Sequence, residues 1–339
     1  MESLIPFLKK VVSNQSLSAQ ESHEAMTIIM DGEATPAQIA GYLVSLRMKG
    51  ETPEEIVGAA RAMREHATPV DVGDLFVVDT CGTGGDAKGT INVSTLAAFI
   101  AAGAGVSIAK HGNRAASSRC GSADLLAGLG VNLDLAPEQV AECIKTIGIG
   151  FLFAPKLHQA MKHAIGPRRE MGIRTIFNVL GPLTNPANAK AQLMGVFDET
   201  LVEPLAEVLC LLGSEHAMVV HGYGGYDEIS STGPTKIAEA KNGSIHLWTL
   251  DPKDLGVPYA NSRDLLGGDV NQNIAITRRI LDNELSPCLD LVVLNAAAAI
   301  VVGKKAEDMR EGIEVARKSV ASGSAREKLQ QLITRSNAS

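Results

Sequence analysis

Residues 75–122 constrain the fold of this chain more than any other stretch. They open with Leu75-Phe-Val-Val78, a short β-branched and aromatic run of strand character, and pass into the glycine-dense turn Gly82-Thr-Gly84-Gly85-Asp86. Glycine tolerates φ > 0 and lets backbone N–H groups come close to a ligand, so Gly82, Gly84 and Gly85 are suited to wrapping an anion. The small polar set Asn92, Ser94 and Thr95 then marks the start of a helix running from Leu96 to Ala104. A helix start carries free N–H donors and a partial positive charge, which makes it a phosphate seat. The design recurs once. Val106 to Ala109 reads as a second strand, a loop with Lys110, His111, Arg114 and Arg119 but no acid follows, and Ser122 precedes the helix Ala123–Leu129. Two strand–loop–helix units side by side point to a ligand with more than one phosphate. Neither established fingerprint explains them: position 87 is Ala, where a dinucleotide motif needs glycine, and no P-loop is present.

The overall charge separates classes of ligand. The net charge of −7 argues against a nucleic-acid surface, which shows a basic stripe, so the basic stretch at 110–119 points to a small anion. The 339 residues, 45% of them hydrophobic, suffice for one large domain or two ordinary ones. Cys81, Cys120, Cys143, Cys210 and Cys288 are odd in number and lack CxxC spacing, which fits reduced thiols of a cytoplasmic protein. Cys81 borders the glycine turn, where packing and nucleophilic roles compete. No signal peptide is evident at the N-terminus, and Leu291 to Val302, broken by Asn295, is too short to span a bilayer.

Along the chain, the first seventy residues read as helices. Ser18-x-x-Glu21, Thr35-Pro-Ala-Gln38 and Thr52-Pro-Glu-Glu55 are capping-box patterns, and Gly32 and Gly50 are stop signals. From Val72 onward, short apolar strands alternate with helices, the pattern of an α/β domain. Pro155 to Ala164 is predicted as a helix, and Gly181-Pro182-Leu-Thr-Asn185-Pro186 as a stiff turn-rich crossing. Arg168 has two readings: a surface partner of Glu170, or a planar fork for a carboxylate. Asp227 and Glu228 follow the strand-like Ala217–Val220 on a glycine-rich loop, either as solvated acids or as hard-oxygen ligands of Mg²⁺. Lys241-Asn242-Gly243 predicts a hairpin at a sheet edge. A helical zinc pair at His158 and His163 and a serine-hydrolase elbow are both unsupported by the spacing.

Gly82-Thr-Gly-Gly-Asp86, Asn92-Val-Ser-Thr95, Lys110-His-Gly-Asn-Arg114 and Asn178-Val-Leu-Gly-Pro-Leu-Thr-Asn-Pro186 together resemble the anthranilate phosphoribosyltransferase family, from about residue 4 to residue 325. The resemblance implies a small all-helical domain, residues 1–72 with about 157–187, beside a larger α/β domain, residues 73–156 and 188–339, whose central sheet is mostly parallel and flanked by helices. It implies homodimerisation through the helical domain, Mg²⁺ as cofactor, and no nucleic-acid or membrane partner. Carried over position by position, Gly82, Gly85, Asp86, Thr90, Asn92, Val93, Ser94, Thr95, Lys110, His111, Gly112, Asn113, Arg114, Ala115, Ala116, Ser117, Ser118 and Ser122 would hold phosphoribosyl pyrophosphate (PRPP). Gly82, Asn113 and Arg168 would hold anthranilate, and Ser94, Asp227 and Glu228 the metal.

The reaction so implied displaces pyrophosphate from C1 of PRPP by the amine of anthranilate, a step of tryptophan biosynthesis. An aromatic amine is already neutral near pH 7, so no general base is assigned. Two alternatives share the expected architecture: a pyrimidine nucleoside phosphorylase and a non-catalytic nucleic-acid-binding relative.

Overall fold

The computed structural model describes residues 3–115 and 119–338. The chain opens with α1 (Ile5–Val12), α2 (Ala19–Met30), α3 (Pro36–Lys49) and α4 (Pro53–Glu65). The capping boxes at Ser18, Thr35 and Thr52 all form, so these helices begin where the sequence places them. Glu55 does more than cap. Its buried carboxylate accepts from the N–H groups of Leu17 and Thr52 and pairs with Lys49 Nζ at 2.8 Å, tying three helix ends together.

The α/β part follows as β1 (Val77–Asp79), α5 (Val93–Gly103), β2 (Ser107–Gly112), α6 (Ser122–Gly128), α7 (Pro137–Ile147) and β3 (Ile149–Phe153). After α8 (Ala154–Leu157), α9 (Lys162–Met171) and α10 (Phe177–Leu183), the sheet resumes with β4 (Ala191–Gly195), α11 (Val202–Leu211), β5 (His216–Gly222), β6 (Thr235–Lys241) and β7 (Ser244–Leu250). The chain closes with α12 (Val270–Leu281), α13 (Pro287–Val302), α14 (Met309–Ala321) and α15 (Ser324–Ser336).

The seven strands form one sheet in the order β3-β2-β1-β4-β5-β6-β7. β3 through β5 in that order pair parallel, and β6 and β7 add an antiparallel hairpin at the edge. The hairpin turns at Asn242 and Gly243, both at positive φ (51° and 79°), as its sequence predicts. The strand order reverses direction at β1, since the chain first builds outward to β2 and β3 and then returns to lay β4 on the other side. Ligands of open α/β sheets bind at the carboxyl ends of strands flanking such a switch point. The glycine turn leaves β1 and Gly195 ends β4 at that place.

Strand alternation divides the interior into two main cores. On β5, Met218 and Val220 face the core built on α5 and α13, while Ala217 and Val219 face the one shared by α11 and the first four helices. α13 is apolar on all sides and correspondingly buried. α9 packs on α2 and α3 and α10 on α4, so Ala164, Ile176 and Leu180 join the N-terminal helices in one core.

Two expectations differ in detail. The helix predicted from Pro155 to Ala164 is interrupted at His158 (φ −118°, ψ 58°), leaving a four-residue α8 and a separate α9. Of the stretch expected to be turn-rich, Gly181, Pro182 and Leu183 form the last turn of α10, with Pro182 accommodated inside it, while Thr184 to Pro186 are non-helical as expected. Burial of Phe177, Val179, Leu180 and Leu183 outweighs the lost N–H and turn propensity of that proline.

Candidate active site

The glycine turn is built by close approach. Gly84 and Gly85 take φ of 64° and 81°, and even Ala87 is held at 58°. Thr83 N–H donates to the Gly195 carbonyl at 2.9 Å, and a Cβ on Gly82 would lie at 2.9 Å from the same oxygen. A Cβ on Gly195 would in turn lie 1.5 Å from the Asp227 carbonyl oxygen. The glycine turn, the end of β4 and the acidic loop are therefore in direct backbone contact.

The acidic loop is aimed by its own hydrogen bonds. Gly222 and Tyr226 exchange backbone bonds at 2.8 and 3.2 Å, which folds the chain back on β5 and brings Asp227 and Glu228 to the end of β4. Asn295, buried in α13, brackets the next residue: its Oδ1 accepts from Ile229 N–H and its Nδ2 donates to the Ile229 carbonyl, both at 2.9 Å. The amide that interrupts an apolar helix in the sequence thus fixes the position of the acids.

Lys110 ties β2 to the chain leaving β1 and to the start of α5. Its ammonium donates to the Thr80 carbonyl at 2.7 Å and to Ser94 Oγ at 3.3 Å. Burial raises the pKa of Asp227, with Asp86 adding repulsion, and burial raises that of Glu228, with Asp227 adding repulsion against the attraction of Lys110. Asp86 Oδ2 is buried without a partner. Three crowded carboxyls with one ammonium nearby, an unpaired oxygen among them, are a donor set that fits a hard divalent cation.

At the start of α5, Asn92 does not cap the helix. Its side chain donates to the Cys120 carbonyl and accepts from Asn273, leaving the helix N–H groups to a ligand. Thr95 Oγ1 is buried with no partner at the same helix start. Thr90 bridges to Leu266, and Val93 is buried.

The second unit differs from its sequence reading. Lys110, His111 and Gly112 belong to β2, paired with Phe151, Leu152 and Phe153 of β3, so the loop begins only at Asn113. Register with β3 extends the strand through residues whose polarity suggested a loop. Arg114 is not free of acids either, since its Nη1 pairs with Asp124 of α6 at 2.8 Å and its guanidinium lies over Phe153. Ala115 N–H donates to the same carboxylate, and Ser122 Oγ donates to the Asn113 carbonyl. Ala116, Ser117 and Ser118 lie outside the described residues. Cys81 is not a poised nucleophile, because burial and then Asp79 push its thiol far up.

Arg168, on α9, is half-buried with its guanidinium 4.9 Å from the Phe177 ring centroid, and burial lowers its pKa. Among the described residues no ion pair joins it to Glu170, and no hydrogen bond links it to Gly82 or Asn113. It sits on α9, which packs on α2 and α3. Sequence reading missed Asn185, whose buried amide donates to Asp79 Oδ2 and the Ala109 carbonyl and so locks α10 to β1 and β2. It also missed His158, whose ring lies 5.1 Å from that of His111.

Both rings are buried, and neither His111 nitrogen nor His158 Nε2 has a hydrogen-bond partner. Burial lowers His111 to about 3, helped by His158, and burial lowers His158 to about 4. The native state thus resists protons that the unfolded chain accepts, and stability from these groups is present above about pH 6.5 and is lost as pH falls toward those values. Because Asp79, raised to about 6 by burial, acts in the opposite sense, a comparison with a variant isolates the effect. His158→Phe is expected to gain on the wild type in unfolding free energy as pH falls from about 6.5 to about 4, by at most about 3 kcal/mol. A pH-independent difference in chemical denaturation would remove His158 as the cause.

Known proteins resemble this chain in sequence and in fold. Residues 5–67 match the helical bundle domain and residues 75–326 the a/b domain of a glycosyl transferase family. Anthranilate phosphoribosyltransferase of Thioalkalivibrio sulfidiphilus is 54% identical over 96% of this chain and 97% of its own. The crystal structure of the Thermus thermophilus enzyme of the same name superposes with a TM-score of 0.93 at 45% identity, covering 98% of this chain and 99% of the other. That of Saccharomyces cerevisiae, in complex with PRPP and Mg, gives 0.90 at 28% identity, covering 98% and 97%. With two matched domains and identity running nearly end to end, this chain belongs to the anthranilate phosphoribosyltransferase family.

Proposed function

We propose that this chain transfers the phosphoribosyl group of PRPP to the amine of anthranilate, giving N-(5-phosphoribosyl)anthranilate and pyrophosphate in tryptophan biosynthesis. The observation that carries the reading is the convergence of the glycine turn, the start of α5 with Lys110, and the Asp227–Glu228 loop at one switch point. End-to-end identity with transferases favours this over a nucleoside phosphorylase or a nucleic-acid-binding relative.

In this reading Asp227, Glu228 and Ser94, with Asp86 beside them, hold Mg²⁺. When bound, the ion neutralises charge on the departing pyrophosphate. The chain's own residues do the rest by placement. N–H groups of the glycine turn and of α5 face the phosphates, Lys110 adds positive charge behind Ser94, and the segment from His111 to Ser118, with Ser122, is assigned by family resemblance to the same PRPP site. Asn113, Gly82 and Arg168 orient anthranilate so that its neutral amine faces C1, and no side chain need remove a proton to make the nucleophile.

The assay is direct: protein, anthranilate, PRPP and Mg²⁺ are mixed and the loss of anthranilate fluorescence is followed. No transfer by the wild type would end this reading. Arg168→Ala is expected to raise the KM for anthranilate about tenfold or more, the size of a lost charge-assisted contact, with little change in that for PRPP. An unchanged anthranilate KM would take Arg168 out of the site.

The same reading takes residues 1–72 with about 157–187 as the helical domain and the remainder as the α/β domain. It includes a cytoplasmic homodimer that meets through the helical domain. Exposed Ile5, Val12 and Met48 on that part of the surface support the contact, and five free cysteines support a reducing compartment. No helix among the described residues is long and apolar enough to cross a membrane.

A further inference from the structure

Arg174 lies two residues past Gly172, the left-handed residue (φ 62°) that ends α9, and reaches from the helical segment into the glycine turn. Its Nη2 donates to the Gly85 carbonyl, and a Cβ on Gly85 would sit 3.2 Å from that same nitrogen. The guanidinium carbon is also 3.8 Å from the ring centroid of Phe197. Phe197 is itself part of the turn's support, since its N–H donates to Thr83 Oγ1 at 3.1 Å while Thr83 N–H donates to Gly195. One side chain therefore touches both the tip of the turn and the segment that underpins it. Its own backbone continues into Thr175, whose N–H is held by Asn178 Oδ1 at 2.9 Å, and so into α10.

We propose that Arg174 is a positioning residue that fastens the segment carrying Arg168 to the turn that receives the phosphates of PRPP, keeping the two substrate-binding sides in register. The inference rests on the function proposed above. Only arginine suits the place: its planar fork can lie flat on Phe197 and still point an N–H at Gly85, whereas a lysine ammonium can serve one contact at a time. The turn depends on such an external tie because Gly84, Gly85 and Ala87 all occupy left-handed conformations that glycine, and still more alanine, leaves readily. Arg174 is exposed, so its effect comes from geometry more than from charge.

The test is steady-state kinetics on the full chain with Mg²⁺. Arg174→Ala is expected to raise the KM for PRPP about 5- to 20-fold, with kcat and the anthranilate KM at saturating PRPP held within about twofold. Arg174→Lys should recover part of the loss, and Phe197→Leu, which keeps an apolar surface but removes the stack, should fall between wild type and Arg174→Ala. A PRPP KM equal to wild type in both Arg174→Ala and Phe197→Leu overturns the role. So does a fall in kcat that tracks a lowered melting temperature with both KM values unchanged, the mark of a purely structural contact. A wild type that fails to transfer at all overturns the assigned reaction itself, whereas an active wild type with an indifferent Arg174→Ala overturns this inference alone.

Discussion

Replacing Asp227 with Asn and Glu228 with Gln is expected to cut magnesium-dependent transfer by about 100-fold or more while leaving the fold intact. The amides match the acids in size but offer neutral, weaker ligands, so on the proposed function the loss would fall on the metal and on the pyrophosphate it would shield. Stability should move the other way. Burial, with repulsion from Asp86 on Asp227 and from Asp227 on Glu228, places both carboxyls above their ordinary range in the folded, metal-free protein. The native state then retains protons that the unfolded chain has released. Stability from these groups is full below the ordinary carboxylate range and is lost as pH rises through the raised values. The amides do not titrate, so without metal the double variant should gain on the wild type in melting temperature between about pH 5 and about pH 8. Adding Mg²⁺ with PRPP should raise the wild-type midpoint and leave that of the variant nearly still. Wild-type turnover in the double variant would dispose of the metal role, whatever its stability.

Much of this arrangement is legible in the sequence because its signals are local. Three capping boxes mark three helix starts, Asn242-Gly243 marks a hairpin, and a strand run into Gly82 marks a glycine turn, each set by a few neighbouring residues. What escapes reading depends on partners far away in the chain. Lys110 and His111 look like loop residues until β3 is beside them, and Arg114 looks unpaired until α6 brings up Asp124. Pro182 signals a turn, yet burial of its neighbours makes a helix. Asn295 is the instructive case. A lone amide in an apolar helix reads only as an interruption, but a buried amide must find partners, and here it finds the backbone that follows the two acids. Asn185 does the same for Asp79 and β2. A polar residue that interrupts an apolar segment therefore marks a backbone that needs holding, although the sequence does not say which.

Gly195→Ala is expected to be nearly as damaging to catalysis as loss of the two acids, although the substitution adds one methyl group at a residue with no chemistry of its own. The reason is steric and not conformational, since Gly195 is absent from the positive-φ residues of the chain. Its added Cβ would lie 1.5 Å from the Asp227 carbonyl oxygen and 2.4 Å from the carbon behind it. Both are backbone atoms, so no side chain can swing aside, and one strand end or the other must retreat. Retreat of the acidic loop carries Asp227 and Glu228 away from Ser94, while retreat of β4 pulls on the Thr83–Gly195 bond that seats the glycine turn. Either displacement separates the proposed metal ligands from the proposed phosphate donors, and a shift on the order of 1 Å in a positioned site costs about 100-fold in rate. The strain should also lower stability by about 1–3 kcal/mol. Half-activating Mg²⁺ concentration and the KM for PRPP are the discriminating readouts, because both rise if the ligands have moved and neither changes if the protein is merely less stable. Gly166→Ala, on the surface of α9 with nothing within 4 Å of the added atom, supplies the control for inserting a methyl group as such. If Gly195→Ala keeps the wild-type magnesium dependence and PRPP affinity, the close approach of β4 to the acidic loop is not what positions the acids, and their placement must be credited to Asn295 and the turn at Gly222 instead.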